Sequence, residues 1–278
     1  MEIGASIFFT DYSISPTELA VALEQRGFDS LWVAEHSHIP VPRRTPPPGG
    51  GELAKRYYDV MDPFVTLAAA SAVTKTLKLA TGICLVIQRD TIQTAKSVAS
   101  IDQVSGGRFL FGIGGGWNAE EIEAHGTVFT TRMKKMREQI EAMKAIWTQD
   151  TAEYNGEIVK VPSMQTWPKP VQKPYPPVLV GGAFPYAARR AVRYGDGWFP
   201  NASSGDPADY MPKFRQMARE AGRTLTVTIG GAPEDLAKLQ QFRELGAVRA
   251  NVSLPAESAD KILPILDRWA AFIPQVRG

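Results

Sequence analysis

The run Arg108-Phe-Leu-Phe-Gly-Ile-Gly-Gly-Gly-Trp-Asn-Ala-Glu-Glu121 is the stretch around which the rest of the chain is arranged. Residues 108–113 form a short, bulky, mainly apolar run, which predicts a strand buried on both faces. Gly114, Gly115 and Gly116 then remove every side chain where that strand ends. Asn118 followed by Glu121 has the spacing of an Asn-type capping box, so a helix opens there. A tight turn needing positive φ would account for one glycine; three in a row point to a ligand lying close against the backbone. The dinucleotide fingerprint is absent, because Gly112-x-Gly114-x-x falls on Trp117. Glu120, Glu121 and Glu123 crowd the helix start, where they would repel a phosphate. This loop is therefore expected to face a ring system, with any phosphate held elsewhere.

The same alternation of strand and helix extends in both directions. Upstream, strands over residues 3–9, 28–34 and 77–83 are separated by helices over 16–26, 62–74 and 91–105. Ser15 and Pro16 open the first helix and Gly27 closes it; Asp62-Pro63 opens the second, and Gly106-Gly107 ends the third. Downstream, the helical region is double, over 118–124 and 132–148. Residues 153–161 alternate about Asn155-Gly156 and predict a small hairpin, and a proline-rich segment over 162–177 returns the chain. Strands over 178–180, 197–200, 225–229 and 248–253 then alternate with helices ending at Tyr194, Ala221, Leu245 and Phe272. Eight strands and eight helices in strict order predict an α/β fold, a closed (β/α)8 TIM barrel forming one domain over 1–278. Residues 150–177 are an insertion after the fourth βα unit. Residues 39–60, rich in proline and then glycine, read as a long loop leaving the end of the second strand, an expected lid.

Bulk properties narrow the function. Lysine and arginine number 31 against 29 acidic residues, so no nucleic-acid footprint or affinity for an anionic membrane is expected. No apolar run approaches the ~20 residues of a membrane span, and the N-terminus lacks a basic-then-apolar leader. Cys84 is the single cysteine, which rules out an internal disulfide and suits a reducing, cytoplasmic compartment.

In such a barrel the active site is built at the C-terminal ends of the strands. Glu35, His36 and His38 fall after the second strand, Gly82, Ile83 and Cys84 at the end of the third, and residues 114–118 after the fourth. His36 and His38, two residues apart, open one reading as ligands of a divalent metal in a barrel hydrolase. That chemistry needs further ligands, and His125 is the one histidine left. The other reading makes His36 a proton-transfer or hydrogen-bonding group, with His38 solvated or anchoring the lid. Gly181-Gly182-Ala183 is the better phosphate site, because bare backbone leads into a helix with no acid in its first turns. Arg189, Arg190 and Arg193 lie further along and read as that helix's solvated face. Trp117, directly after three glycines, is expected to wall a ligand.

Several motifs in order resemble the bacterial luciferase-like flavin and deazaflavin oxidoreductases. They are Gly27-Phe-Asp-Ser-Leu-Trp-Val-Ala-Glu-His36, the run from Ser105 to Asn118, Phe129 with Arg132 and Glu138, Trp147, Pro168-Lys-Pro170, Pro176-Pro177, Val180-Gly-Gly182 and Gly195-Asp-Gly-Trp198. The resemblance spans nearly the whole chain and weakens after about residue 200. It implies an oxidoreductase or monooxygenase using reduced F420, or alternatively reduced FMN, to transfer hydride to a small organic substrate or to oxygenate it. It implies a non-proline cis peptide at Gly82-Ile83 beneath the ring, which also meets Gly114, Gly115, Gly116, Trp117 and Asn118. The phosphate would meet Gly181, Gly182 and Ala183, and His36 matches the active-site histidine of the F420 branch. A separate flavin or F420 reductase and a homodimer through the early barrel helices are also implied. In the luciferase branch an arginine in the glycine loop holds the FMN phosphate; Gly115 stands there here. The carboxylate of F420-dependent sugar-phosphate dehydrogenases is replaced by Trp117. A metal-dependent hydrolase using His36 and His38, and a non-catalytic flavin-binding relative, are the alternatives.

Overall fold

The computed structural model describes residues 1–47 and 49–277. Pro48, inside the expected lid, and Gly278, the last residue of the expected domain, lie outside the described residues. The chain runs β1 (Glu2–Ile7), α1 (Pro16–Gln25), β2 (Ser30–Val33), α2 (Pro63–Ala72), β3 (Lys78–Thr81), α3 (Thr91–Val104) and β4 (Phe109–Ile113). It continues with α4 (Ala119–Ala124), α5 (Arg132–Thr148), and the hairpin strands β5 (Ala152–Asn155) and β6 (Lys160–Met164). The last part comprises β7 (Val178–Gly181), α6 (Tyr186–Tyr194), β8 (Gly197–Phe199), α7 (Met211–Glu220), β9 (Thr226–Ile229), α8 (Leu236–Glu244), β10 (Arg249–Ser253), α9 (Ala259–Ala270) and α10 (Ile273–Val276).

Eight of these strands, all parallel to their neighbours, close into a barrel in the order β1-β2-β3-β4-β7-β8-β9-β10. Helix starts follow the sequence signals. The Ser15 side chain accepts from Glu18 N, Asp62 from Phe64 N and Val65 N, and Asp90 from Gln93 N. Most strands are shorter than the apolar runs suggest, because the runs continue into buried strand-end loops. Phe9, after β1, is one such residue, at 1% exposure.

β4 pairs directly with β7, so the hairpin stands outside the barrel. Its turn differs from a two-residue Asn-Gly turn: Asn155 pairs with Lys160, which leaves a four-residue loop over 156–159. The reason is Glu138, buried on α5, whose carboxylate accepts from both Ile158 N and Val159 N of that loop. A Cβ at Gly156 would stand 2.4 Å from Glu138 Oε2, so close approach requires this glycine.

Apolar packing lies in two layers. Helices cover the outside of the sheet, and a smaller cluster of Trp32, Ala80, Leu179 and Phe199 fills the barrel's interior. Trp32 on β2 and Phe199 on β8 come within 4.7 Å between ring centroids, a contact made across the barrel. No helix among the described residues is long and apolar enough to cross a membrane.

Candidate active site

The strand ends open into two adjoining cavities. One, of 470 Å³, has three glycine-bearing walls: Gly82-Ile83 from β3, residues 114–117 after β4, and residues 181–183 after β7. Nine of the ten residues expected to hold a cofactor line it; Asn118 does not. The Gly82-Ile83 peptide is cis. The second cavity, of 530 Å³, lies toward β1, β9 and β10, and shares Gly82 and Asn201 with the first.

The protein's own packing also favours glycine at the three positions after β4. A Cβ at Gly114 would meet Ile83 Cδ1 at 2.6 Å, and one at Gly115 would meet the Met133 thioether at 2.5 Å. Gly116 has a φ of +63°, which side chains rarely adopt. The same Ile83 would be 2.9 Å from a Cβ at Gly181.

The expected capping box is also corrected. Asn118 sits at the start of α4 but its side chain makes no capping bond. Thr45 reaches in from the long loop and accepts from Ala119 N through Oγ1 (3.3 Å). Asn118 is 1% exposed, and its Oδ1 and Nδ2 have no partner among the described residues. Glu121, fully buried, turns instead toward β2's end, accepting from His36 Nδ1 (2.7 Å) and from Ser37 N (3.0 Å). A carboxylate there fixes His36 as the tautomer with hydrogen on Nδ1.

The two strand-end histidines diverge, contrary to the picture of a shared metal. The His36 ring packs against Tyr57 and Trp117, at 5.2 and 5.8 Å between centroids. The Ser37 hydroxyl lies 2.9 Å from His38 Nδ1 and 2.7 Å from His125 Nε2, so it joins the other two histidines. Burial, then His38, lower the pKa of His125. No group of three His, Cys, Asp or Glu side chains suited to a metal occurs among the described residues. His36 lines neither large cavity. It borders a separate 280 Å³ cavity with Ser37, Arg89 and His125, and the Tyr57 and Trp117 rings lie against it.

Cys84 is fully buried; burial raises its thiol well above the ordinary range and the nearby Glu35 carboxylate adds to the effect, so it is inert at neutral pH. Glu35 itself accepts from Leu85 N and pairs with Arg89.

Positive charge gathers at the α6 end of the first cavity. Arg190, expected on a solvated face, lines it, whereas Arg189 and Arg193 are exposed as expected. Burial and then Arg190 lower the pKa of Arg132, which donates to Gly115 O (3.0 Å) and braces the glycine loop. The amides of Gly182 and Ala187 are taken by Phe199 O and Ala183 O; those of Ala183, Phe184 and Tyr186 have no backbone partner among the described residues. Sequence reasoning missed Arg190, and also Tyr57 and Asn201. Their one signal was position: Arg190 lies one helical turn beyond Tyr186, which faces the same cavity.

The long loop lies down on this site. The Arg43 guanidinium sits 5.6 Å from the Trp117 ring. Arg44 donates to Glu120 (2.7 Å) and Glu123 (3.1 Å), and Thr45 N donates to Glu120. The acids that would repel a phosphate thus hold the loop.

A closed parallel barrel whose strand ends carry a glycine-walled cavity over a cis peptide defines a class, and the sequence comparisons give the family. The model of the luciferase-like monooxygenase family matches residues 15–233, and the chain belongs to this family. It is 38% identical over 287 residues to an uncharacterized protein of Mycobacterium tuberculosis, covering 98% of each chain. It is 35% identical over 113 residues, 40% of this chain and 31% of the other, to an FMNH2-dependent dimethylsulfone monooxygenase of Pseudomonas putida. Two solved structures share the fold over the full length of both chains at 19% identity. These are a monooxygenase, RslO1, from Streptomyces bottropensis (TM-score 0.79) and an F420-dependent secondary alcohol dehydrogenase in complex with an F420-acetone adduct (TM-score 0.77). Sequence relatives of this chain thus include both F420-dependent and FMN-dependent enzymes.

Proposed function

We propose that the protein is an oxidoreductase that binds reduced F420, with reduced FMN as the alternative, in the glycine-walled cavity and acts on a small organic molecule in the adjoining one. The observation that carries this reading is the composition of the first cavity: glycine-bearing walls, Arg190 at the end nearest unpaired α6 amides, and the orphaned Asn118 amide next in sequence to Trp117. The donor set fits such a group. Unpaired amides and a cation suit its phosphate, and a buried side-chain amide with its NH2 and its oxygen both free suits a ring edge bearing acceptors and donors.

When bound, the cofactor would supply or accept the hydride. Gly82, Ile83, Gly114, Gly115, Gly116 and Trp117 would hold its ring, Asn118 the ring edge, and Gly181, Gly182, Ala183 and Arg190 its phosphate. His36 would hold the reaction's proton at Nε2, because Glu121 already occupies Nδ1. Tyr57 belongs to the 39–60 loop and packs on His36, so this loop is the lid whose movement uncovers the imidazole. F420 is favoured over FMN because Gly115 stands where the luciferase branch carries the arginine that holds the FMN phosphate.

A homodimer would use the α2–α3 face, where Val65 and Val104 are 69% and 66% exposed. Reduced cofactor would come from a separate reductase, and the single thiol suits a cytoplasmic setting.

The test is fluorescence titration of wild type, Arg190→Gln and Asn118→Ala with F420 and FMN, each oxidised and reduced. Reduced F420 should bind in preference, and each substitution should weaken binding about tenfold. Preference for reduced FMN would turn the reading toward an oxygenase supplied by a flavin reductase. Binding of neither cofactor would sink it, and binding without turnover of any acceptor would leave a non-catalytic relative.

A further inference from the structure

We infer that the second cavity takes a small carboxylate substrate that also presents a flat apolar face; this rests on the cofactor reading of the first cavity. At 530 Å³ it is of the size that small-molecule sites have. Its lining contains one formal cation, Arg56, and no carboxylate. Two cations of the same loop are in no ion pair among the described residues; the other, Arg43, lies against Trp117 and does not line this cavity. Arg44 is paired with Glu120 and Glu123, and Lys55 with Asp59, while Arg56 is in no ion pair among the described residues.

The contacts of Arg56 are aromatic. Its guanidinium lies 5.4 Å from the Phe8 ring and 5.6 Å from the Tyr57 ring, and these rings are 4.9 Å apart. Cation–π contact of this kind restrains a guanidinium while leaving its N–H groups available for a carboxylate. The same two rings, with Leu254 and Pro255, offer apolar contact for the rest of the molecule.

The remaining polar lining adds donors rather than charge. Ser253 contributes a hydroxyl, and Asn201 borders both cavities. Asn201 Oδ1 accepts from Ser203 N (2.9 Å), so the donor end of its amide is the end left for a ligand. A carboxylate at Arg56 would place the rest of a short molecule toward the shared border at Gly82 and Asn201. Amines meet nothing of opposite charge in this lining, and a purely apolar molecule would strand the donors.

The test measures binding of benzoate, benzamide, cinnamate and cinnamamide by saturation-transfer NMR and calorimetry. Wild type, Arg56→Gln and Arg56→Lys are each used free and loaded with whichever of F420 and FMN binds. In loaded wild type each acid should bind about tenfold more tightly than its amide. Arg56→Gln should abolish that preference without changing cofactor affinity, and Arg56→Lys should keep part of it. Equal binding of acid and amide, no binding of any probe, or a preference that survives in Arg56→Gln would overturn the inference while leaving the cofactor reading intact. Competition between benzoate and cofactor for the free protein would assign Arg56 to the cofactor and overturn it as well. Failure of both cofactors to bind marks the separate collapse of the reading beneath it, and the inference falls with it.

Discussion

The floor and the mouth of the barrel both carry charge and differ in how much of it is matched. At the floor every charge is matched. Asp29, ahead of β2, pairs with Arg249 and Lys78 from the starts of β10 and β3. Arg108, ahead of β4, donates to the carbonyls of Ser71, Thr74, Leu77 and Ser105. Glu24 accepts from the backbone amides of Lys75, Thr76 and Leu77. At the mouth His36–Glu121 and Glu35–Arg89 are matched as well, but Arg190, the exposed Arg56 and the Asn118 amide are left without hydrogen-bonding partners among the described residues, and they stand in or beside the cavities. Matched groups hold a structure together; unmatched ones are those a ligand could engage. The difference separates stability from function along one axis of the molecule.

The largest effect should come from breaking the floor. Asp29→Ala leaves Arg249 buried beside a single long contact to Thr228 Oγ1, and should cost about 3–5 kcal/mol in urea unfolding. Cofactor affinity of the folded fraction should be unchanged. A loss below about 1 kcal/mol would show that the floor charges are not structural.

Next comes the mouth. His36→Ala should lower turnover by about 10²-fold or more while leaving the unfolding midpoint and cofactor Kd nearly as they were. Equal turnover in that variant removes His36 from the chemistry.

A third, smaller effect sharpens the contrast through pH. Burial pushes the Glu24 carboxyl up, but the Thr76, Leu77 and Lys75 amides outweigh it and hold its pKa at about 2, against an ordinary 4.5. The folded value lies below the unfolded one, so this contribution is complete above pH 4.5 and disappears as pH falls through about 2. Glu24→Gln should flatten acid unfolding over that window by up to one proton's worth of slope, with no change in activity at neutral pH. An unchanged slope would mean that other carboxylates carry the acid transition.

The smallest effect belongs to the exposed lid contacts. Arg44→Ala should change kcat by less than about threefold and reduce its dependence on salt, because solvent screens the pairs with Glu120 and Glu123. A tenfold change would promote these pairs from fastening to gating.

The barrel was legible because it rests on local signals. Apolar runs, caps and glycine stops repeat along the chain, and α5 spans 132–148 as its amphipathic pattern predicts. The walls of the first cavity were legible because strand ends in a barrel converge by topology, whatever their side chains do. What the pattern hid were side-chain destinations. Glu121 has capping-box spacing, yet His36 and Ser37, 85 and 84 residues away, offer it a buried pairing that a solvated cap lacks. Arg190 reads as surface because nothing local says that α6 leans over a cavity. His36 and His38 share a strand parity, but β2 ends at Val33, so the parity no longer governs where they point.

Ile83 occupies the space left by absent side chains on two different strand ends, at Gly114 and at Gly181. Its branched methyls serve as the key to two keyholes, so substitutions at positions 83, 114 and 181 are energetically coupled rather than independent. A lineage seeking a deeper cavity floor meets a closed door at each step taken alone: adding a methyl to either glycine collides with the isoleucine, and shrinking the isoleucine opens a void between two bare backbones. The shape under the candidate ring is therefore changed by compound substitution or left alone.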